Sequence, residues 1–142
     1  MPQSNSRNGG PPISGITLPI LHSWLFEAQS ALRVAREEID ALNVFPVPDG
    51  DTGTNLYLTV EAACGALLKP GDDLGQAAQR VGRAAIMGAR GNSGVILSAF
   101  LRDLVAELAN SPENFARALS QGSRGAYKAG ANPLEGTILT VA

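Results

Sequence analysis

Between positions 21 and 42 the apolar residues fall at steps of three and four: Leu21, Trp24, Leu25, Ala28, Leu32, Ala35, Ile39 and Leu42. That spacing puts them on one face of an α-helix as a continuous stripe, and it is incompatible with the two-residue period of a strand. Thr17 is placed to cap the helix and Pro19 falls in its first turn. Arg33, Arg36, Glu37, Glu38 and Asp40 lie off the stripe and read as a solvated face. Pro46 and Pro48 end the helix, because proline lacks the N–H and disfavours the helical conformation in the residue before it.

The same period recurs downstream. A second helix is expected from about Thr54 to Leu68, with Leu56, Val60, Ala63 and Leu67 inward, and Lys69-Pro70-Gly71 breaks it. Asp72 or Asp73 caps a third, with Leu74, Ala77, Ala78, Val81 and Ala85 as core positions. A fourth is expected from about Val95 to Leu108, and Ser111-Pro112-Glu113 signals a fifth that reaches roughly Tyr127. A loop at Ala129–Pro133 leads to the opening of a sixth, where the chain stops in mid-pattern. No alternating strand pattern and no internal repeat occur, so the fold class is all-α. The first fifteen residues, rich in Pro, Gly, Ser and Asn, read as a disordered tail, leaving residues 16–142 as the domain.

A chain of 142 residues can bury a real core, here built mainly from aliphatic side chains, since aromatics are only 5%. The net charge of −2 makes no electrostatic case for nucleic acid. One cysteine, Cys64, excludes an internal disulfide and reads as a small core residue. The absence of a long apolar run or an apolar signal core points to the cytoplasm. His22 is the only histidine, so a zinc site or a Ser-His-Asp triad has no support; His22 itself reads as a surface or boundary residue.

Three segments carry chemistry. In Asn43-Val44-Phe45-Pro46-Val47-Pro48-Asp49-Gly50-Asp51-Thr52-Gly53-Thr54-Asn55, two carboxylates flank a glycine in a proline-stiffened loop just before a helix. Mg²⁺ takes oxygen ligands and commonly combines one or two carboxylates with phosphate oxygens, so Asp49 and Asp51 suit it. An EF-hand fails, because Thr54 and Val60 stand where its glycine and glutamate belong. An Asp-Gly turn in which Asp51 simply caps the next helix remains the competing reading. Thr52, Thr54 and Asn55 can donate to phosphate oxygens, cap the helix, or both. The second segment, Gly91-Asn92-Ser93-Gly94, suits a phosphate cradle at a helix start and equally an interhelix turn; it is not a P-loop. Arg90 beside it could face phosphate or solvent. The third, Glu135-Gly136-Thr137, marks only a loop-to-helix boundary by itself.

In order and approximate spacing, from about residue 18 onward, these segments resemble the N-terminal nucleotide-binding domain of fatty acid kinase A-type proteins, within the family of the dihydroxyacetone kinase L subunit. The resemblance implies an antiparallel helical barrel that binds ATP or ADP at one rim with Mg²⁺, as two ions, held by the first interhelix loop. It carries metal ligation to Asp49 and Asp51, and phosphate contacts to Gly91, Asn92, Ser93 and Gly94. It places Thr54 and Asn55 near the phosphates and Gly136 and Thr137 near the nucleotide. The dihydroxyacetone kinase branch has histidine where Thr52 stands, and an upstream aspartate where Asn43 offers a neutral oxygen as third ligand. Those departures favour the fatty acid kinase branch. A partner protein presenting a fatty acid is then implied, with acyl phosphate as product. Glycerone kinase-type transfer, a non-catalytic ADP-sensing module and a purely structural helical domain are the alternatives. The family domain continues beyond this stretch, so the barrel is expected to be incomplete at its C-terminal side, with apolar surface left open; a homodimer through the further C-terminal domains is also expected.

Overall fold

The computed structural model describes residues 15–44, 50–67, 69 and 71–130. Among them the structure is all-helical: α1 (Leu18–Ala41), α2 (Thr52–Gly65), α3 (Leu74–Met87), α4 (Gly91–Asn110) and α5 (Phe115–Ala129). Residues 1–14, which hold nearly all of the expected tail, and the expected sixth helix lie outside the described residues. Gly15 and Ile16 are already in place: Ile16 is buried and its N–H donates to the carbonyl of Pro112 at 3.0 Å.

The local signals explain most boundaries. Thr17 Oγ1 accepts from the Ile20 N–H, and Pro19 sits in the first turn of α1. Asp73 and Gln76 form a reciprocal capping box at the start of α3. Two starts differ from expectation. Helix α4 begins at Gly91 rather than near Val95, so the Gly91–Gly94 segment is the first turn of a helix and not a loop before it. Helix α5 begins at Phe115, where Asn114 accepts from the Arg117 N–H at 3.0 Å. The Ser-Pro-Glu segment is the turn before α5, because the Pro112 carbonyl is engaged by Ile16 and Ser111 closes α4.

Helix α4 is central. It packs against α2, α3 and α5, while α1 lies along α2. Short connections make α3, α4 and α5 an up-and-down series. The core runs through Leu25, Val60, Ala63, Val81, Leu101, Val105 and Leu108. Burying a Val or Leu side chain of this kind contributes roughly 1.5–3 kcal/mol. Leu56, Val60 and Ala63 of α2 are buried, as is Leu67 just past its end at Gly65, and so are Ala77, Ala78, Val81 and Ala85 of α3. Small residues let the backbones approach: a Cβ on Gly53 would lie 2.4 Å from the Arg36 carbonyl oxygen where α2 crosses α1.

The stripe of α1 is buried only in part. Leu21 and Leu25 are in the core and Leu32 packs against it, whereas Trp24, Ala28 and Leu42 are exposed. The reason is that α2 is the one described helix that packs extensively against α1. At its N-terminal end Trp24 meets Phe115 of α5 edge-on, with ring centroids 5.2 Å apart. Cys64 is buried as expected, donating to the Leu25 carbonyl at 3.2 Å. His22 is a boundary residue, its ring tilted against that of Phe26 at a centroid distance of 4.5 Å. No helix among the described residues is long and apolar enough to cross a membrane.

Candidate functional site

The C-terminal end of α1, the N-terminus of α2 and the N-terminus of α4 meet in one place. An α-helix leaves its first backbone N–H groups without intrahelical acceptors. At α2 the end of α1 supplies them. Asn43 Oδ1 accepts from the N–H groups of Asp51 and Thr52, both at 3.1 Å. Asp40 Oδ1 accepts from the Thr54 N–H at 3.0 Å, and Oδ2 accepts from the Thr54 hydroxyl at 2.7 Å. The Thr54 hydroxyl bond is the main reason that the Asp40 carboxyl lies below its usual range, opposed by partial burial and helped by the Thr54 and Gly53 N–H groups and by Arg36.

Asp51 occupies the N-cap position of α2, but its side chain makes no capping bond; Asn43 does that work from across the loop. The Asp51 carboxylate is exposed at the loop's exit, after Gly50, whose φ of +68° turns the chain. Asp49 lies outside the described residues. Among the described residues no group of three or more His, Cys, Asp or Glu side chains is placed to hold a metal ion.

The two segments separated by some forty residues in the chain adjoin across the α2–α4 contact. Asn55 and Thr59, one turn apart on α2, face Arg90, Gly91 and Gly94. Gly91 has a φ of +68°, and a Cβ there would come within 2.3 Å of Asn55 Nδ2. A Cβ on Gly94 would come within 2.5 Å of Thr59 Oγ1. Thr59 is fully buried; its hydroxyl donates to the Asn55 carbonyl at 2.8 Å and accepts from the Arg90 N–H at 3.2 Å. The N–H groups of Gly91, Asn92 and Ser93, in the first turn of α4, have no intrahelical acceptors, while that of Gly94 donates to the Arg90 carbonyl. Arg90 itself is exposed. One side of the site therefore carries carboxylates and the other a helix N-terminus, with its partial positive charge.

Of the residues singled out in the sequence, Asn43, Asp51, Thr54, Asn55, Gly91, Asn92, Ser93 and Gly94 are gathered here. Gly136 and Thr137 lie outside the described residues. Asp40 and Thr59 were missed. Asp40 falls on the polar side of α1, where a carboxylate normally faces solvent, and no spacing rule links it to Thr54. Thr59 sits between Leu56 and Val60 and reads as an ordinary helix residue.

Comparison with known proteins adds the lineage of these motifs. Residues 46–142 match the DAK2 domain. Protein YloV of Bacillus subtilis is 48% identical over 109 residues, covering 73% of this chain and 20% of that protein. Uncharacterized proteins of Staphylococcus epidermidis and of Staphylococcus aureus strain USA300 are each 38% identical over 135 and 138 residues; both alignments cover 92% of the chain. The chain spans 20% to 25% of the length of these relatives.

Proposed function

Since this chain belongs to the DAK2 domain family, whose fold is a dihydroxyacetone-kinase-like nucleotide-binding module, we propose that it binds ATP and Mg²⁺ for phosphoryl transfer to a small acceptor held by a partner protein. The observation that carries the reading is the meeting of the α4 N-terminus with the carboxylate-bearing start of α2 through Asn55, Gly91, Gly94 and Thr59. Polyphosphate needs N–H donors on one side and a cation held by carboxylates on the other.

The start of α4 suits a polyphosphate, and Asp51 offers a cation an exposed carboxylate. Gly91 and Gly94 keep the approach to α4 free of side chains. The N–H groups of Gly91, Asn92 and Ser93, with the Asn92 and Ser93 side chains, bind phosphate oxygens. Asp49 and Asp51 hold the cation; the Asn43 amide oxygen, expected from the sequence as a third ligand, already accepts from the Asp51 and Thr52 N–H groups and serves the α2 cap. Mg²⁺, when bound, neutralises phosphate charge. Asn55 sits against the phosphate turn, and Thr54 acts through Asp40. Gly136 and Thr137 complete the nucleotide side.

In the transfer, the bond from the γ-phosphorus to the β,γ-bridging oxygen breaks, a bond to the acceptor oxygen forms, and ADP leaves. The fatty acid carboxylate is the favoured acceptor, because Thr52 follows Asp49-Gly50-Asp51 where the dihydroxyacetone kinase branch has histidine. A carboxylate is already anionic and needs no base, which suits a site whose work is positioning and charge neutralisation. The exposed apolar face of α1, with Trp24, Ala28 and Leu42, is suited to cover by further helices of a longer protein.

Two measurements test the reading. Calorimetry should detect ADP binding that depends on Mg²⁺. Full-length protein, supplied with ATP and a fatty-acid-loaded partner, should form acyl phosphate. Binding without acceptor-dependent turnover would assign a regulatory, ADP-sensing role instead. No binding at all would leave a structural helical domain.

A further inference from the structure

Thr59 carries a buried hydroxyl with two hydrogen bonds, one of which joins the two halves of the site. A threonine inside a helix commonly bonds back to the carbonyl four residues earlier, as Thr59 does to Asn55. Its second bond is not local. The Arg90 N–H, at the cap position from which α4 starts, donates to the same oxygen across 31 residues of chain. The hydroxyl is wholly shielded from solvent, so its orientation is set by these two partners. Gly94 permits the approach, since a Cβ there would occupy the space of Thr59 Oγ1. Asn55 and Gly91 form a second contact one turn toward the helix starts.

We propose that Thr59 is a positioning residue: it latches the first turn of α4 to α2, and so fixes the phosphate-facing N–H groups of Gly91–Ser93 relative to the carboxylate end of α2. This rests on the nucleotide reading above. Thr59 touches no ligand in it and acts through Arg90 and Asn55. Valine has the same shape but neither donates nor accepts, whereas serine does both.

The test uses full-length protein and three variants. Thr59→Val should weaken Mg²⁺–ADP binding by about tenfold, the loss of roughly one net hydrogen bond in site geometry. Thr59→Ser should bind within about twofold of wild type. Val105→Ala, which opens the core of α4 away from the site, controls for stability: it should lower Tm at least as much as Thr59→Val and leave affinity unchanged. Amide exchange supplies a readout without ligand. The Arg90 N–H should exchange about tenfold faster in Thr59→Val than in Val105→Ala. Affinity that follows Tm across all variants, or wild-type affinity in Thr59→Val, overturns the proposal. Unchanged exchange at Arg90 overturns it independently. Wild-type protein that ignores Mg²⁺–ADP overturns the nucleotide reading, and the positioning of a phosphate site with it; the Arg90 exchange rates then still show whether the Thr59 latch exists.

Discussion

Asp40, in the last turn of α1, grips Thr54 of α2 through both of its carboxylate oxygens, one on the backbone N–H and one on the hydroxyl. The pair ties the end of one helix to the start of the next across a loop that includes two prolines. Charge-assisted bonds of this kind are stronger than neutral ones. Because Thr54 holds the Asp40 carboxyl below its usual value, the folded state binds this proton less readily than the unfolded chain. The contribution is therefore complete above the ordinary aspartate value and is lost as pH falls below it, through the lowered one. Asp40→Asn should lower Tm by a few degrees at neutral pH. The gap to wild type should close as the buffer is acidified through that window, and a gap that stays constant would contradict the assignment.

Asn43 and Asp51 have separable roles. Asn43→Ala removes the acceptor for two N–H groups at the start of α2 and should cost about 1–2 kcal/mol. Asn43→Asp keeps the acceptor and adds a charge that the helix N-terminus favours, so its stability should match or exceed wild type. Asp51→Ala removes no capping bond and should leave stability within about 0.5 kcal/mol. The same variant should lose Mg²⁺-dependent ADP binding. Chemical denaturation and calorimetry on the three proteins would show whether capping and ligand binding separate in this way.

Two glycines on the α2 and α4 helices should respond in opposite directions to alanine. Gly91 has positive φ and no room for a Cβ beside Asn55, so Gly91→Ala should destabilise by about 1–3 kcal/mol and weaken nucleotide binding. Gly65 ends α2 with open space around its Cα, so Gly65→Ala should be neutral or stabilise by up to about 1 kcal/mol. Equal effects at both positions would remove the argument for a cradle at Gly91.

Burial pushes the Cys64 thiol up to about 11, with the nearby Glu61 charge as a lesser cause. At pH 8 the native protein should therefore hold very little thiolate, and the side chain is closed to reagents as well. Alkylation by iodoacetamide at that pH should run at least about a hundredfold slower in native buffer than in denaturant. Fast labelling under native conditions would show that the α1–α2 contact over Leu25 opens readily.

The helical class, the starts of three of the five helices to within about two residues, and the core faces of α2 and α3 could be read from the chain. Three- and four-residue periodicity and proline or glycine breaks are local properties that survive any tertiary arrangement. Boundaries were less legible where a start signal competed with a tertiary partner. At Ser111-Pro112-Glu113 the Pro112 carbonyl is taken by Ile16, and the helix waits for Asn114.

Along the chain alone, residue types that would suit a cation and a polyphosphate can be recognised, each set near a helix start. Helix packing brings those starts together, because the meeting depends on glycines at a helix crossing and on a buried hydroxyl that bonds across 31 residues. It also gave Asp40, a polar-face residue by pattern, a partner on α2, and moved the cap of that helix from Asp51 to Asn43. Hydrogen bonds between elements follow from how helices pack, and periodicity along a single helix carries no record of what its neighbour will present.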